Sequence, residues 1–176
     1  MKNRFTKAIL IAGALMMAVL GTAGKIDKIQ GYERDHYQAL KVFFKDEKKE
    51  TRMWLKNKTP AERDQWLKDM GYWDYFYKYD EETRKEILGR EPKEGWKQDM
   101  LYMAWGPPFR KQKSTKRTAS DTIILSYRME VDKKGRHLVW TPKSKESYKA
   151  IEQYTTDITL DDHVITKIVR RDGWSR

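Results

Sequence analysis

Apolar and polar positions follow three different rhythms along this chain. From Ala8 to Leu20 the residues run apolar without a break (AILIAGALMMAVL). From residue 32 to about residue 90, apolar residues recur three or four apart among Glu, Lys and Arg, the spacing of amphipathic helices. After residue 109 the period shortens, and β-branched and aromatic residues gather in short runs that read as strands.

Local signals sharpen the helices. Thr59, Pro60 and Glu62 form a capping box with proline at the first helical position. Asp80-Glu81-Glu82 places acids where a helix N-terminus favours them, and Gly89 offers a stop. The two starts belong to a degenerate repeat: Arg63, Trp66 and Leu67 match Arg84, Ile87 and Leu88, and Glu50 to Leu55 resembles a third copy. A further helix is expected over Lys97 to Trp105, with Leu101, Ala104 and Trp105 on one side. The strand candidates are Phe109 to Lys113, Thr122 to Val131, Arg136 to Thr141, Tyr148 to Leu160 and Val164 to Arg170, the last pair joined across Asp161-Asp162-His163. The expected fold class is α+β: a helical lobe over residues 24–91, then residues 92–176 as a helix packed on an antiparallel sheet of about four strands.

Residues 1–23 read as a signal peptide. Lys2, Arg4 and Lys7 precede the apolar run, and Gly21-Thr22-Ala23 supplies small residues for cleavage. A run of this length, rising ~1.5 Å per residue, spans about 20 Å, short of a bilayer's ~30 Å hydrocarbon core. Cleavage would give a secreted or periplasmic protein, and retention would tether it to the membrane. The chain has 37 Lys+Arg against 26 Asp+Glu, a formal net charge of +11. Loss of the three signal cations leaves it basic, which favours anionic partners. There is no cysteine, so disulfides, thiol nucleophiles, thiolate metal sites and N-terminal lipid acylation on cysteine are all excluded.

Two segments stand out as candidate binding surfaces. Tyr72, Trp73, Tyr75, Phe76, Tyr77 and Tyr79 put six aromatics in eight residues. They serve either to close the helical lobe over its core or as an exposed patch for a partner. Arg110, Lys111, Lys113, Lys116 and Arg117 put five cations in eight residues between a Pro-Pro pair and the strongest strand. They read as a solubilising sheet edge, as a dock for anionic lipid or cell-wall polymer, or as a nucleic-acid contact, against which the export signal argues.

Gly95 opens the segment before the expected helix, and Trp105-Gly106-Pro107-Pro108 ends it in a structural elbow. The stretch from Gly95 to Pro108 resembles the "Gly-Met-Thr…Leu-Gly-x-Pro" element of the SmpA/OmlA family, the BamE-like lipoproteins of the outer-membrane β-barrel assembly machine. The resemblance covers residues 92–170: Tyr127 fits a family strand position, and Ile158 to Ile165 resembles the closing hairpin with His163 in place of glycine. It implies a BamE-like fold of helices on an antiparallel sheet, similar to the β-lactamase-inhibitor-protein fold, and a role in outer-membrane assembly or maintenance. Lys97 replaces the family's helix-capping Thr or Ser, and the acylated cysteine is missing.

Catalytic motifs are absent from the sequence. His36, His137 and His163 lie far apart with no second ligand at metal spacing, and no Gly-x-Ser-x-Gly or phosphate-binding loop occurs. No catalytic, cofactor-binding or metal residue is assigned. The expectation is an exported non-catalytic envelope protein that binds a protein or the anionic membrane or wall surface. Two alternatives stand beside it: an exported cell-wall hydrolase using carboxylates such as Glu62, Asp64, Glu81 and Glu82 as acid and base, and a secreted enzyme inhibitor binding through its sheet face.

Overall fold

The computed structural model describes residue 26, residues 28–113, 122–142 and 144–174. The signal segment 1–23, Lys116 and Arg117 lie outside the described residues. The chain divides into two compact units, Met1–Asp80 and Glu81–Arg176.

The first unit is helical. Helix α1 (Tyr32–Leu40) runs into a single 3₁₀ turn (Lys41–Phe43), followed by α2 (Glu47–Trp54), α3 (Pro60–Asp69) and the short α4 (Trp73–Tyr77). The caps explain the starts: the Asp46 side chain accepts the Lys49 amide at 2.9 Å, and Thr59 and Glu62 form the expected reciprocal box at the head of α3. The core is aromatic, with Tyr37, Phe44, Trp54, Tyr72 and Phe76 buried beside Leu40 and Leu67. Tyr37 stacks on Trp54 at 5.0 Å between centroids, an arrangement that adds to the burial of two large side chains. The hydroxyls buried with these rings are satisfied. Tyr37 pairs with Thr51 at 3.1 Å, and Tyr72 donates to Glu50 at 2.6 Å.

The second unit is α+β. Helices α5 (Glu81–Gly89) and α6 (Gln98–Trp105) precede β1 (Arg110–Lys113), β2 (Ile123–Asp132), β3 (His137–Val139), the one-turn α7 (Ser144–Ser147), β4 (Ala150–Asp161) and β5 (Val164–Asp172). All pairings are antiparallel in the order β1-β2-β4-β5, and the short β3 makes the fifth strand. Both β1 and β3 lie on the same edge of β2, β1 against residues 123–126 and β3 against 129–131. The opposite edge pairs with β4 along its whole length.

Strand alternation gives the sheet two faces. Leu125, Tyr127, Met129 and Val131 of β2 point to one face, in register with Ile158 and Tyr154 of β4, and all are buried. Helix α6, with Met100, Leu101, Met103 and Ala104 buried, is tied to the sheet at both ends. At its start Lys97 bridges Val164, with Gly95 N–H donating to Ile165 O and Ile165 N–H to Trp96 O, each at 2.8 Å. At its end the Trp105 ring meets Tyr127 edge to face at 5.1 Å, and the Tyr127 hydroxyl donates to Gly106 O at 3.0 Å.

Candidate functional site

The elbow residues hold α6 and β1 in place. Gly95 takes a φ of 89°, and its amide reaches β5. Trp105 donates its indole N–H to Arg90 O at 2.9 Å. Gly106 closes the helix at φ 77° and ψ −164°, a conformation outside the ordinary left-handed helical region and open in practice to glycine alone. Pro107 is exposed and Pro108 half-buried, and the chain leaves them extended so that Phe109 N–H reaches Ser126 O at 3.1 Å.

Beyond the elbow, β1 exposes every residue. Arg110, Lys111 and Lys113 stand opposite Ser126, Leu125 and Ile123, so Arg110 lies on the face away from α6 while the two lysines share the other parity. None of the three is ion-paired among the described residues. Five other cations of this unit are ion-paired. Lys85 pairs with Glu81, Lys93 with Glu86, Arg136 with Asp132, Arg170 with Glu152 and Arg171 with Asp157.

The sheet face away from α6 carries polar and aromatic chemistry that periodicity alone does not reveal. Arg128 projects there, with its guanidinium carbon 4.6 Å from the Phe109 ring centroid, 5.3 Å from Trp174 and 5.6 Å from Trp140. Glu130, two residues on, is buried and accepts from Tyr148 Oη at 2.8 Å and Gln153 Nε2 at 2.9 Å. Ser126 donates to Asp157 at 2.7 Å, and the Asp157 carboxylate also pairs with Arg171 at 2.5 Å.

The aromatic run of the first unit divides between core and surface. Tyr72 and Phe76, four residues apart, are buried. Desolvation, helped by the Glu50 carboxylate, pushes the Tyr72 phenol up to about 12. Trp73 and Tyr77 are half-buried and stack at 4.0 Å, and Tyr79 is half-buried as well. Tyr75 is exposed, stacked on Phe43 at 4.1 Å with the Lys78 ammonium 5.7 Å from its ring. These six aromatics therefore do not form one continuous surface.

Behind this run lies a buried polar cluster. His36 is ringed by Tyr32, Trp73, Phe76 and Tyr77 at 5.2 to 5.9 Å between centroids. Its Nδ1 lies 3.3 Å from Asp64 and its Nε2 2.6 Å from Tyr77 Oη. Beside it Arg63 donates to Glu33 at 2.6 Å and to Asn57 O at 2.8 Å. The remaining histidines make single contacts, His137 with Tyr154 at 2.7 Å and His163 with Gln98 at 2.8 Å.

Three of the four carboxylates considered as acid and base have local partners. Glu62 accepts the Lys58 and Thr59 amides, Asp64 faces His36 and Glu81 pairs with Lys85. Hydrogen bonds from those two amides hold the Glu62 carboxyl below its ordinary value, and the Lys85 contact does the same for Glu81. Among the described residues no group of three or more His, Asp or Glu could hold a metal ion, and no helix is long and apolar enough to cross a membrane. In comparison with known proteins, no family model matches the chain, and no curated protein or solved structure shows significant similarity to it.

Proposed function

We propose that this is an exported, non-catalytic protein of the cell envelope that docks on anionic lipid through the cationic edge of its sheet. The observation that carries this reading is β1, where Arg110, Lys111 and Lys113 are exposed and without ion-pair partners among the described residues. Five other cations of the unit sit beside carboxylates, whereas the three of β1 follow one another along a single exposed edge. In sequence it continues into Lys116 and Arg117. Lysine on a sheet edge also discourages strand pairing between molecules, and both roles use the same exposed charge. Export is supported by the signal-like residues 1–23, and the envelope by the resemblance of residues 92–170 to the SmpA/OmlA family.

Each basic residue close to an anionic bilayer contributes about 1 kcal/mol. Sedimentation with phosphatidylglycerol vesicles, against vesicles of phosphatidylcholine alone, tests the reading. The protein should pellet with the anionic vesicles only and be released as salt rises. The double variant Lys111→Gln/Lys113→Gln should bind roughly ten- to thirtyfold more weakly. Undiminished pelleting of that variant would remove the β1 edge as the docking element.

A further inference from the structure

The face of the sheet away from α6 holds a cation with no anion. Arg128 lies between Phe109, Trp140 and Trp174, its guanidinium carbon 4.6 to 5.6 Å from the three ring centroids. The three rings come from distant parts of the chain, each anchored to β2 by a hydrogen bond of its own residue. Phe109 N–H donates to Ser126 O, Trp140 N–H to Arg128 O, and the Trp174 indole N–H to Met129 O at 3.2 Å. Trp140 and Trp174 also meet edge to face at 5.4 Å. The setting is therefore fixed by the backbone of β2, independently of what Arg128 binds.

Rings stabilise a guanidinium through its faces, whereas its N–H bonds point outward in its plane and call for oxygen acceptors. Among the described residues those acceptors are engaged elsewhere. Glu130, on the same face, is taken by Tyr148 and Gln153, and Asp157 by Ser126 and Arg171. Arg128 Nε is buried with no hydrogen-bond partner, and Arg128 makes no ion pair among these residues. The side chain is half-buried and Phe109 is 38 % exposed, so the charge lies at the surface with apolar walls around it.

We propose that Arg128, Phe109, Trp140 and Trp174 form a binding site for a carboxylate carried on a flat apolar body, such as the free C-terminus of a peptide ending in an aromatic residue. The uncompensated guanidinium of Arg128 matches a carboxylate in charge, and its planar fork matches the two oxygens. The rings offer stacking to the body that carries it. The site lies on the sheet face and does not rest on the lipid-docking reading, so Lys111→Gln/Lys113→Gln leaves it intact.

The test uses N-acetylphenylalanine as probe and N-acetylphenylalaninamide as its uncharged control. Binding is followed by the NMR signals of the Trp140 and Trp174 indole N–H groups and of Arg128 Nε–H in the full chain. Saturable shifts of these three signals are expected at about millimolar probe, the range reached by one charged hydrogen-bonded contact plus stacking. The amide should bind at least tenfold more weakly, and so should the probe to Arg128→Lys, which keeps the charge but loses the fork. Trp140→Leu gives a second variant should Arg128→Lys fail to fold, and it too should weaken binding. Absence of saturable shifts, equal binding of the amide, or undiminished binding by both variants overturns the proposal. Inorganic phosphate binding as tightly as the probe also overturns it, since the rings would then contribute nothing.

Discussion

Tyr77 Oη lies 2.6 Å from His36 Nε2, and this contact assigns the protons of a buried network. The Asp64 carboxylate can only accept, so the ring proton sits on Nδ1 and faces Asp64, leaving Nε2 bare to take the Tyr77 hydroxyl. Burial holds the imidazole below the ordinary histidine range, although Asp64, Asp35 and Glu33 pull the other way. The folded chain therefore binds a proton less readily than the unfolded one. Stability should be fully present above the unfolded value of about 6.5 and decline as pH falls below it, by up to about 1.4 kcal/mol per pH unit. Urea midpoints between about pH 8 and about pH 5 should show this decline. His36→Gln should show a shallower one, and identical slopes would assign the effect to another group.

Arg63 and Glu33 form a pair of which each side chain is about nine-tenths buried (12 and 11 % exposed). Arg63 also caps the carbonyl of Asn57 and lies over the Trp54 ring at 5.7 Å. Removing one partner leaves the other charge poorly solvated, so Glu33→Ala should cost about 3 kcal/mol in denaturant unfolding. A loss below about 0.5 kcal/mol, the value of an exposed pair, would contradict this.

Thr59 accepts the Glu62 amide at 3.2 Å. Thr59→Ala should lower stability by about 1 kcal/mol, while Thr59→Ser should be nearly neutral because the hydroxyl remains. Calorimetry on the two variants separates the cap from mere side-chain size.

Gly106 combines a positive φ with extended ψ, and no heavy atom outside its immediate neighbours lies within 4 Å of where a Cβ would stand. Gly106→Ala should therefore cost about 1–3 kcal/mol through backbone strain alone. Tyr127→Phe, which removes the hydroxyl donating to Gly106 O, should cost about 1 kcal/mol. A neutral Gly106→Ala variant would mean that the elbow adopts another conformation.

The turn between β4 and β5 places Asp162 at φ 47° and His163 at φ 64°, the two-residue hairpin geometry that favours Asn-Gly. His163 occupies it while contacting Gln98 at 2.8 Å. Relief of left-handed strain is worth about 1–2 kcal/mol, and an exposed hydrogen bond less. His163→Gly should raise the melting temperature, and a fall would show that the Gln98 contact outweighs the strain.

Much of this architecture was legible in the chain because its signals are local. The Thr59–Glu62 box, the helix before Trp105 and the β-branched run of β2 each depend on residues within a few positions of one another. The β3 segment is short enough that a count of about four strands and an observed five describe one sheet. Within residues 72–79, composition could not separate core from surface, and the i, i+4 spacing that buries Tyr72 and Phe76 acts only once α4 meets its neighbours. The Arg128 cluster was beyond reach altogether. Its walls stand at residues 109, 140 and 174, and only the register of the sheet brings them together.

That one strand, β2, has β4 along one edge and both β1 and β3 along the other gives the sheet a single mechanical key. Sliding β2 by one residue would turn Leu125, Tyr127 and Met129 out of the core and break three ladders at once. Partial opening has little to gain, because β1, β3 and β4 all lose their ladders with β2 in the same step. Backbone amides of β2 and β4 should therefore exchange with solvent together, as one cooperative unit, while the outer amides of β5 exchange earlier.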